Sequence, residues 1–581
     1  MFDMLIAFLG SNKVMLSFFL SIFLYVTLLF TVIFLFLNFK TLKNEFKNIK
    51  KRTWVILFMI FLSSLFLRIY SPKLFITYFD EFAQMDVAKN IMYDKKSQIC
   101  MYTDYETKTC TLYDEPAVLP FVFAIFFSIF GIGEQITYAI NILIGSLLTV
   151  LMFLFAYVIS KKEGLALCAA LVITLSPLYI LQSHALENNI ISTFFILLGL
   201  TTLLIYFRVK TLKMAMLAIF FLAFFIQARF DNSIAIIPIF IFFAYQIKNH
   251  IKSYKFWLPW ITLAVLVIPF LFLISLDVYP SILLGEKTAT APTSTLFEIK
   301  NIGDKSWIIK NLFEGVYYPR ILNFLVPLGV VLAFTTNRKT ALFLVGFSLS
   351  FLLLYFSYYV VLERYLLPCA LPLIYFASVC IYSAYWLITN KLKIKRSNIR
   401  YLISFIIVLM LFLSFLPYLQ KIQKSPMEFM SQGTDINELY YPEQEYISLI
   451  NEKFGEECYL TMQEPILLSG THLKGIKTSF ILSDNQIANN IIQHTDCLLF
   501  FEDLFCTNYY TAGNICGEGL SSLEKCEIKR LETVSQCKQM HEKFNLSPVL
   551  EYNFIVDPEI QERYNQESNT VSFTIYRVGI K

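Results

Sequence analysis

Charge is scarce in this sequence. Asp, Glu, Lys and Arg make up 16% of 581 residues, against about 25% in ordinary soluble domains. By contrast 57% of the residues are hydrophobic, 58 are Phe, and mean hydropathy is +0.60. No soluble core needs that much apolar surface, so the composition describes a polytopic membrane protein. G-x-G-x-x-G and P-loop motifs are absent as well, which removes the common nucleotide-binding signatures. There is no internal repeat and no low-complexity tract. The first apolar run, about Val14 to Phe39, is too long for a signal-peptide core and has no small-residue cleavage site after it. The net charge of +5 is modest and sits in loops, which argues against a nucleic acid partner.

What is present is a series of apolar runs, each near the 20 residues a helix needs to cross a bilayer. They fall at 14–38, 53–70, 134–159, 165–182, 189–207, 214–228, 233–247, 256–276, 320–337, 341–361, 366–388 and 401–419. A shorter run at 117–131 reads as a half-span or interfacial helix. The connecting segments alternate in charge. Segments 39–52, 160–164, 208–213, 248–255, 338–340 and 389–400 each carry two to six Lys or Arg. By the positive-inside rule that set is cytoplasmic. Segments 71–133, 183–188, 229–232, 277–319, 362–365 and everything after about 420 then lie outside, and the first span runs inward from an outer N-terminus.

Cysteine follows the same division. Cys168, Cys369 and Cys380 lie in spans, whereas Cys100, Cys110, Cys458, Cys497, Cys506, Cys516, Cys526 and Cys537 all fall on the outer side. An even number outside predicts disulfides in an oxidising compartment. Cys100 with Cys110 is a plausible pair, and the pairing of the other six stays open. The polar tail alternates β-rich runs ("ECYLTM", "KTSFIL", "CLLFF", "VLEYNFIV", "VSFTIYRV") with a helical stretch from Ser521 to Phe544. That pattern predicts a small α/β or α+β domain.

Several reactive side chains gather next to spans on the outer side. They are Asp80 and Glu81 in "FDEFAQ", Tyr113 and its neighbours in "LYDEPAVLPF", His184 and Glu187 in "SPLYILQSHALENN", Arg229 in "QARFDN", and Arg364 with Tyr365 in "VLERYLLP". Charges beside hydrocarbon are costly unless they are used or solvated. A carboxylate can act as general base on a hydroxyl, and a guanidinium can hold a phosphate through charge-assisted hydrogen bonds. A membrane-anchored activated sugar suits that pairing, with its phosphate meeting Arg364 and its sugar projecting towards Asp80. Oxygen ligands from Asp80, Glu81 and Glu187 could take up a divalent cation, although no dense ligand motif demands one. The long segment 277–319 has the character of a lid or of a plain connector.

These motifs, in this order, resemble the GT-C superfamily of lipid-phosphosugar glycosyltransferases, in particular the protein O-mannosyltransferase and aminoarabinose transferase type. The likeness covers residues 53–390. The Asp-Glu pair of the first outer loop matches Asp80–Glu81. "EPAVLPFVFAIFFSIFG" matches the Pro-rich approach to an apolar stretch, with Glu115 where relatives carry a basic or neutral residue. In the Ser-Pro segment His184 stands in place of the usual Arg, and Glu187 supplies an acid two positions early. "ERYLLP" matches the Arg-Tyr lead into a late span. The resemblance implies a helical membrane fold of about 11–13 spans with an extracytoplasmic α/β or α+β domain. Residues 1–52 would add an extra span and a basic loop, 53–420 would form the catalytic membrane domain, and 421–581 the soluble domain. It also implies inverting transfer from a polyprenyl- or dolichyl-phosphate sugar to a hydroxyl acceptor. Asp80 would be the base and Glu81 its neighbour in the site. Glu187, Arg364, Tyr365, His184, Arg229 and Tyr113 would contact substrate. Three rivals stand beside this reading, one of them a non-catalytic membrane scaffold whose tail binds a partner. An oligosaccharyltransferase of the same superfamily would carry a Trp-Trp-Asp signature, whereas no Trp follows residue 420. A flippase or transporter would place its ionisable groups near the midplane, often in inverted repeats.

Overall fold

The structure is a computed structural model. It describes residues 13–71, 80–113, 116–246, 253–283, 319–357, 366–391 and 397–424 and, with gaps, 449–502, 506, 523–555 and 570–581. Of some of these, Asp80 and Glu81 among them, only the backbone path is described. In hydrocarbon a backbone has to satisfy its own polar groups, so the apolar runs become helices. In chain order these are α1 (Lys13–Phe46), α2 (Lys51–Tyr70), α3 (Asp80–Asp94), α4 (Val118–Phe130), α5 (Glu134–Ser160), α6 (Glu163–Leu175), α7 (Pro177–Gln182), α8 (Asn188–Val209), α9 (Leu212–Ala228), α10 (Ile236–Gln246), α11 (Tyr254–Leu283), α12 (Ile321–Ser357), α13 (Leu367–Lys391) and α14 (Ser397–Lys424). Among the described residues seven helices are long and apolar enough to cross a membrane, and five shorter apolar helices accompany them. Large apolar side chains such as Phe36, Val55, Phe58, Leu353 and Phe405 point outward, as lipid contact requires.

The bundle has two chemically distinct ends. At the basic end Glu45 accepts from Lys161 and, at 2.5 Å, from Arg208. There too Glu163 receives the Lys50 amide at 3.3 Å, and Arg52 donates to the Tyr401 hydroxyl at 2.6 Å. Lys339 lies 5.1 Å from the centre of the Tyr245 ring. Segments 39–52, 160–164 and 208–213, which the charge pattern assigned to one face, therefore meet. At the other end, hereafter the site end, the Ser97 amide reaches Ser17 O at 3.4 Å. Helix α1 thus enters from the site end, as the alternation of charge requires.

Three expectations need correction. The run 165–182 is not one helix: it breaks at Ser176–Pro177, because proline disfavours helical geometry in the residue before it. Segment 183–188, expected as an outer loop, is buried; His184 is 1% and Glu187 7% exposed. The run "KTSFIL" is not a strand. The strand is Lys474–Lys477 just before it, and Thr478–Ser483 turns helical; so short an apolar run does not distinguish the two states. Helix α12 contains two spans, as expected. Asn337 leaves helical geometry (φ −148°, ψ 76°) and its side chain accepts the Thr340 amide. Gly329 and Ser348 would stand about 28 Å apart on a straight helix, yet both meet α13, at Phe376 and Cys369. Those two partners are about 10 Å apart at helical rise, so the halves fold back on each other.

Beyond the bundle lies a seven-stranded mixed sheet. Its strands are β1 (Gln98–Tyr102), β2 (Lys108–Leu112), β3 (Tyr459–Met462), β4 (Lys474–Lys477), β5 (Leu498–Glu502), β6 (Phe544–Ile555) and β7 (Thr570–Ile580), in the order β2-β1-β4-β3-β5-β7-β6. The first two belong to the loop after α3, the other five to the tail. The two sets join where Tyr102 pairs in parallel with Ile476. Alternation sorts the sheet's faces. Leu460, Leu499, Phe501, Phe573 and Ile575 continue the membrane core. Tyr459, Leu498, Phe500 and Val578 pack beneath the tail helices: α15 (Thr478–Ser483), α16 (Asn485–Thr495) and α17 (Leu523–Lys543). Disulfides join Cys100 to Cys110, Cys458 to Cys497 and Cys506 to Cys537. The side chains of Cys516 and Cys526 lie outside the described residues, as do Arg364, Tyr365 and loop residues 284–318.

Gly329 supplies one test. A Cβ there would lie 1.8 Å from the Phe376 carbonyl oxygen, on the backbone of the facing helix. Gly329→Ala should therefore force α12 away from α13 and cost about 1–3 kcal/mol or more, read as a lower unfolding temperature of the purified protein.

Candidate active site

Helix α3 begins on the acid pair, so the backbone of Asp80 and Glu81 forms its N-terminal turn. Its apolar face, Phe82, Met85, Val87, Ala88 and Ile91, is buried. The polar side of α3 ties it to the sheet. Asp86 accepts the Cys100 amide at 2.8 Å and the Asn90 amide at 3.1 Å, and Asn90 also donates to Gln98 O at 3.0 Å. Lys89 donates to Thr471 O in the tail at 3.0 Å. Tyr105 stacks on His494 at 4.4 Å, and the Glu106 amide donates to the Tyr459 hydroxyl at 3.0 Å. Burial pushes the Asp86 carboxyl above the usual carboxylate range, against the opposing pull of Lys89 and the Cys100 amide.

The hub of the site end is the interruption between α6 and α8, residues 176–189. Its backbone groups cannot all bond within a helix; Asn141 completes three of its carbonyls, and its own side chains tie it to neighbouring elements. Asn141 of α5 donates to the carbonyls of Gln182, Ser183 and Ala185 at 3.4, 3.1 and 2.6 Å. Asn188 accepts the Leu119 amide at 3.2 Å and donates to Pro116 O at 3.0 Å, fixing the "EPAVLP" stretch at the start of α4. Asn189 accepts from Arg229 at 2.6 Å. The Tyr179 hydroxyl donates to Leu367 O at 2.6 Å, two residues beyond Tyr365. Arg68 of α2 donates to the Ser183 hydroxyl at 3.0 Å.

Arg229 continues the network. It grips Asp231 through two N–H bonds of 3.0 Å each, and the Tyr355 hydroxyl donates at 2.6 Å to Oδ2, which also accepts Arg229 Nη2. Both charged side chains remain partly exposed. His184 and Glu187 sit inside the interruption itself, and Tyr113 is buried just before "EP", its amide bonded to Ser97 O at 3.2 Å. Three of the sequence motifs thus border the fourth, which carries His184 and Glu187. The side chains of Asp80 and Glu81, and all of Arg364 and Tyr365, lie outside the described residues. Of the three acids considered for a cation, only the Glu187 side chain is described, and no group of three His, Cys, Asp or Glu that could hold a metal ion occurs among the described residues. Sequence reasoning missed Arg68, Asn141 and Asn188. Arg68 carried a usable signal, being the lone charge in "VILFMIFLSSLFLRIY".

Comparison with known proteins agrees with this architecture. The family model of dolichyl-phosphate-mannose-protein mannosyltransferases matches residues 114–273, from "DEP" through the interruption and Arg229 into α11. The fold is similar to the Archaeoglobus fulgidus oligosaccharyltransferase in complex with Zn and sulfate, with a TM-score of 0.50, 12% identity, and coverage of 81% of this chain and 70% of that one. The fold is of the GT-C type. Another GT-C enzyme, ArnT from Cupriavidus metallidurans bound to undecaprenyl phosphate, aligns with a TM-score of 0.46 and 12% identity over 78% of this chain and 93% of that one. No curated protein sequence matches the chain significantly.

Asp86 tests whether the sheet holds helix α3. Asp86→Ala strands the Cys100 amide and should cost about 1–3 kcal/mol. Asp86→Asn, which keeps an acceptor and is neutral as burial prefers, should cost clearly less. Because its folded-state pKa is raised, the Asp86 contribution is complete at low pH and is lost as pH rises through that pKa. Thermal unfolding across pH 4–8 should therefore show a step in the wild type that Asp86→Asn lacks.

Proposed function

We propose that this protein transfers a single sugar from a polyprenyl- or dolichyl-phosphate donor to a hydroxyl acceptor at the extracytoplasmic face of the membrane, with inversion at the anomeric carbon. The observation that carries the reading is the interrupted helix 176–189. It gathers the "EPAVLP" start of α4, Arg229 and the start of α13 at the same end of the bundle. The mannosyltransferase family match over that region supports it. The opposite end collects the basic loops, which is the arrangement expected when the site end faces away from the cytoplasm. No nucleotide-sugar pool exists on that side, so a donor held in the lipid is the natural source of activated sugar.

In the proposed reaction the acceptor oxygen attacks the anomeric carbon from the face opposite the phosphate. The new C–O bond forms as the bond from that carbon to the phosphate oxygen breaks. The hydroxyl proton passes to Asp80, and the electron pair leaves with the lipid phosphate. Glu81, one residue away, raises the proton affinity of Asp80 by like-charge repulsion. Arg364 stabilises the charge growing on phosphate, a contact of the kind worth about 3–4 kcal/mol. Arg229, held by Asp231 and Asn189, presents a second guanidinium edge to the site. His184, Glu187, Tyr113 and Tyr365 would shape the sugar and acceptor positions. Asp80, Glu81 and Glu187 could take up a divalent cation through oxygen; no step here depends on one.

Oligosaccharyl transfer to an asparagine is the second reading, favoured by the fold likeness to the Archaeoglobus enzyme and opposed by the absence of Trp after residue 420. The purified protein should be assayed with radiolabelled lipid-monophosphate sugars and, separately, with a lipid-diphosphate oligosaccharide. Transfer from the former supports the proposal; transfer from the latter alone replaces it with the second reading. Asp80→Asn should abolish transfer without lowering the unfolding temperature. Arg364→Ala should slow transfer by about two to three powers of ten. Full turnover by Asp80→Asn would remove Asp80 from the mechanism.

A further inference from the structure

Arg68 is fully buried, with no exposed surface, and heads the largest side chains so enclosed. It stands in the last turn of α2, about 26 Å along that helix from its basic end, near the limit of a bilayer core about 30 Å thick. Nε donates to the Ser183 hydroxyl at 3.0 Å, and Nη1 donates to Ser64 O at 3.2 Å and to the Ser64 hydroxyl. Nη2 has no partner. No carboxylate among the described residues pairs with it.

A buried charge without a counterion costs several kcal/mol, and an apolar side chain of similar volume commonly leaves such a site as stable or more so. Architecture alone therefore gives no reason for an arginine here. What the guanidinium does is local. Ser183, which it grips, in turn donates to Tyr179 O at 2.7 Å, and Asn141 holds the carbonyls on either side. The turn carrying His184 and leading to Glu187 is thus clamped from α2 and from α5. Gly145 of α5 completes the clamp. A Cβ at that position would lie 2.2 Å from Ser183 Oγ and 3.1 Å from Arg68 Nε, so only glycine lets the three chains close.

We propose that Arg68 is a positioning residue that locks the turn 182–187 and thereby sets the donor sugar in line for transfer. This rests on the glycosyl-transfer reading above, deepening it by one residue that touches no substrate. The test uses Arg68→Met in the purified full-length chain. Amide hydrogen exchange in 182–189 should rise, with little change in α1 or α14. The unfolding temperature should equal or exceed that of the wild type. Transfer should fall on the order of a hundredfold, as a misplacement of about an ångström can cause, while affinity for undecaprenyl phosphate stays within about twofold. Arg68→Lys should not restore exchange protection, because a point charge cannot bridge Ser64 and Ser183 as the fork does. Should Arg68→Met fail to fold, Ser183→Ala and Gly145→Ala break the same clamp with the arginine in place, and the exchange signature should follow them. Wild-type exchange at 182–189 in the folded variants overturns the proposal, and so does wild-type transfer. If the wild type itself transfers no sugar, the functional reading fails while the exchange measurement still decides whether Arg68 holds the turn.

Discussion

Backbone polar groups inside a membrane protein have to find partners within the protein, because hydrocarbon offers none. Most helices in this bundle meet that demand by being unbroken. The stretch 176–189 does not: its carbonyls draw in Asn141, and its own Asn188, Asn189 and Ser183 side chains bond Pro116 O, Arg229 and Arg68. That interruption ties Arg229, the start of α4 and the start of α13 to one end of the bundle. A continuous helix between residues 163 and 209 would satisfy itself and would have no need of the asparagines that tie neighbouring elements to this end.

Two further levels are built on that hub. Nearest to it, Arg229 and Asp231 form an ion pair whose carboxylate also receives Tyr355, linking α9 to the second half of α12. Farther out, helix α3 rests on the bundle through its apolar face and on the sheet through Asp86, Asn90 and Lys89. The acid pair at its N-terminal turn therefore begins a helix anchored on both sides. Under the proposed mechanism that anchoring would serve a base at Asp80, which has to stay within hydrogen-bond reach of the acceptor hydroxyl.

Much of this was readable from the chain, for a physical reason. Charge is so costly in hydrocarbon that Lys and Arg segregate, and the alternation of basic and acidic segments sorted the helix ends correctly. Arg208, Lys161 and Lys339 all stand where that alternation puts them. Cysteine distribution was legible for the same kind of reason, and the three disulfides lie at the site end. Features decided by tertiary packing were not legible. Asn141 and Asn188 look like ordinary polar residues within apolar runs; only the three-dimensional break gives them work. Arg68, three residues from the end of an apolar run, has the sequence profile of an interface anchor, yet it is enclosed. Ser176–Pro177 announced the interruption, but a run of the right total length masked it. In the tail, "KTSFIL" was misassigned because six apolar-rich residues fit a strand or a helical turn equally well.

The pairing of Tyr102 with Ile476 has a consequence for biogenesis. Those two strands are separated by most of the polypeptide, so during synthesis the early hairpin must wait, with one edge bare, until nearly everything else has been made and inserted. An open strand edge is an invitation to pair with the wrong neighbour. The Cys100–Cys110 crosslink lets the hairpin close on itself at once and hold its register during that interval. On this view a nascent chain becomes competent only when its last-made strands dock, which couples quality control of the tail to assembly of the membrane site.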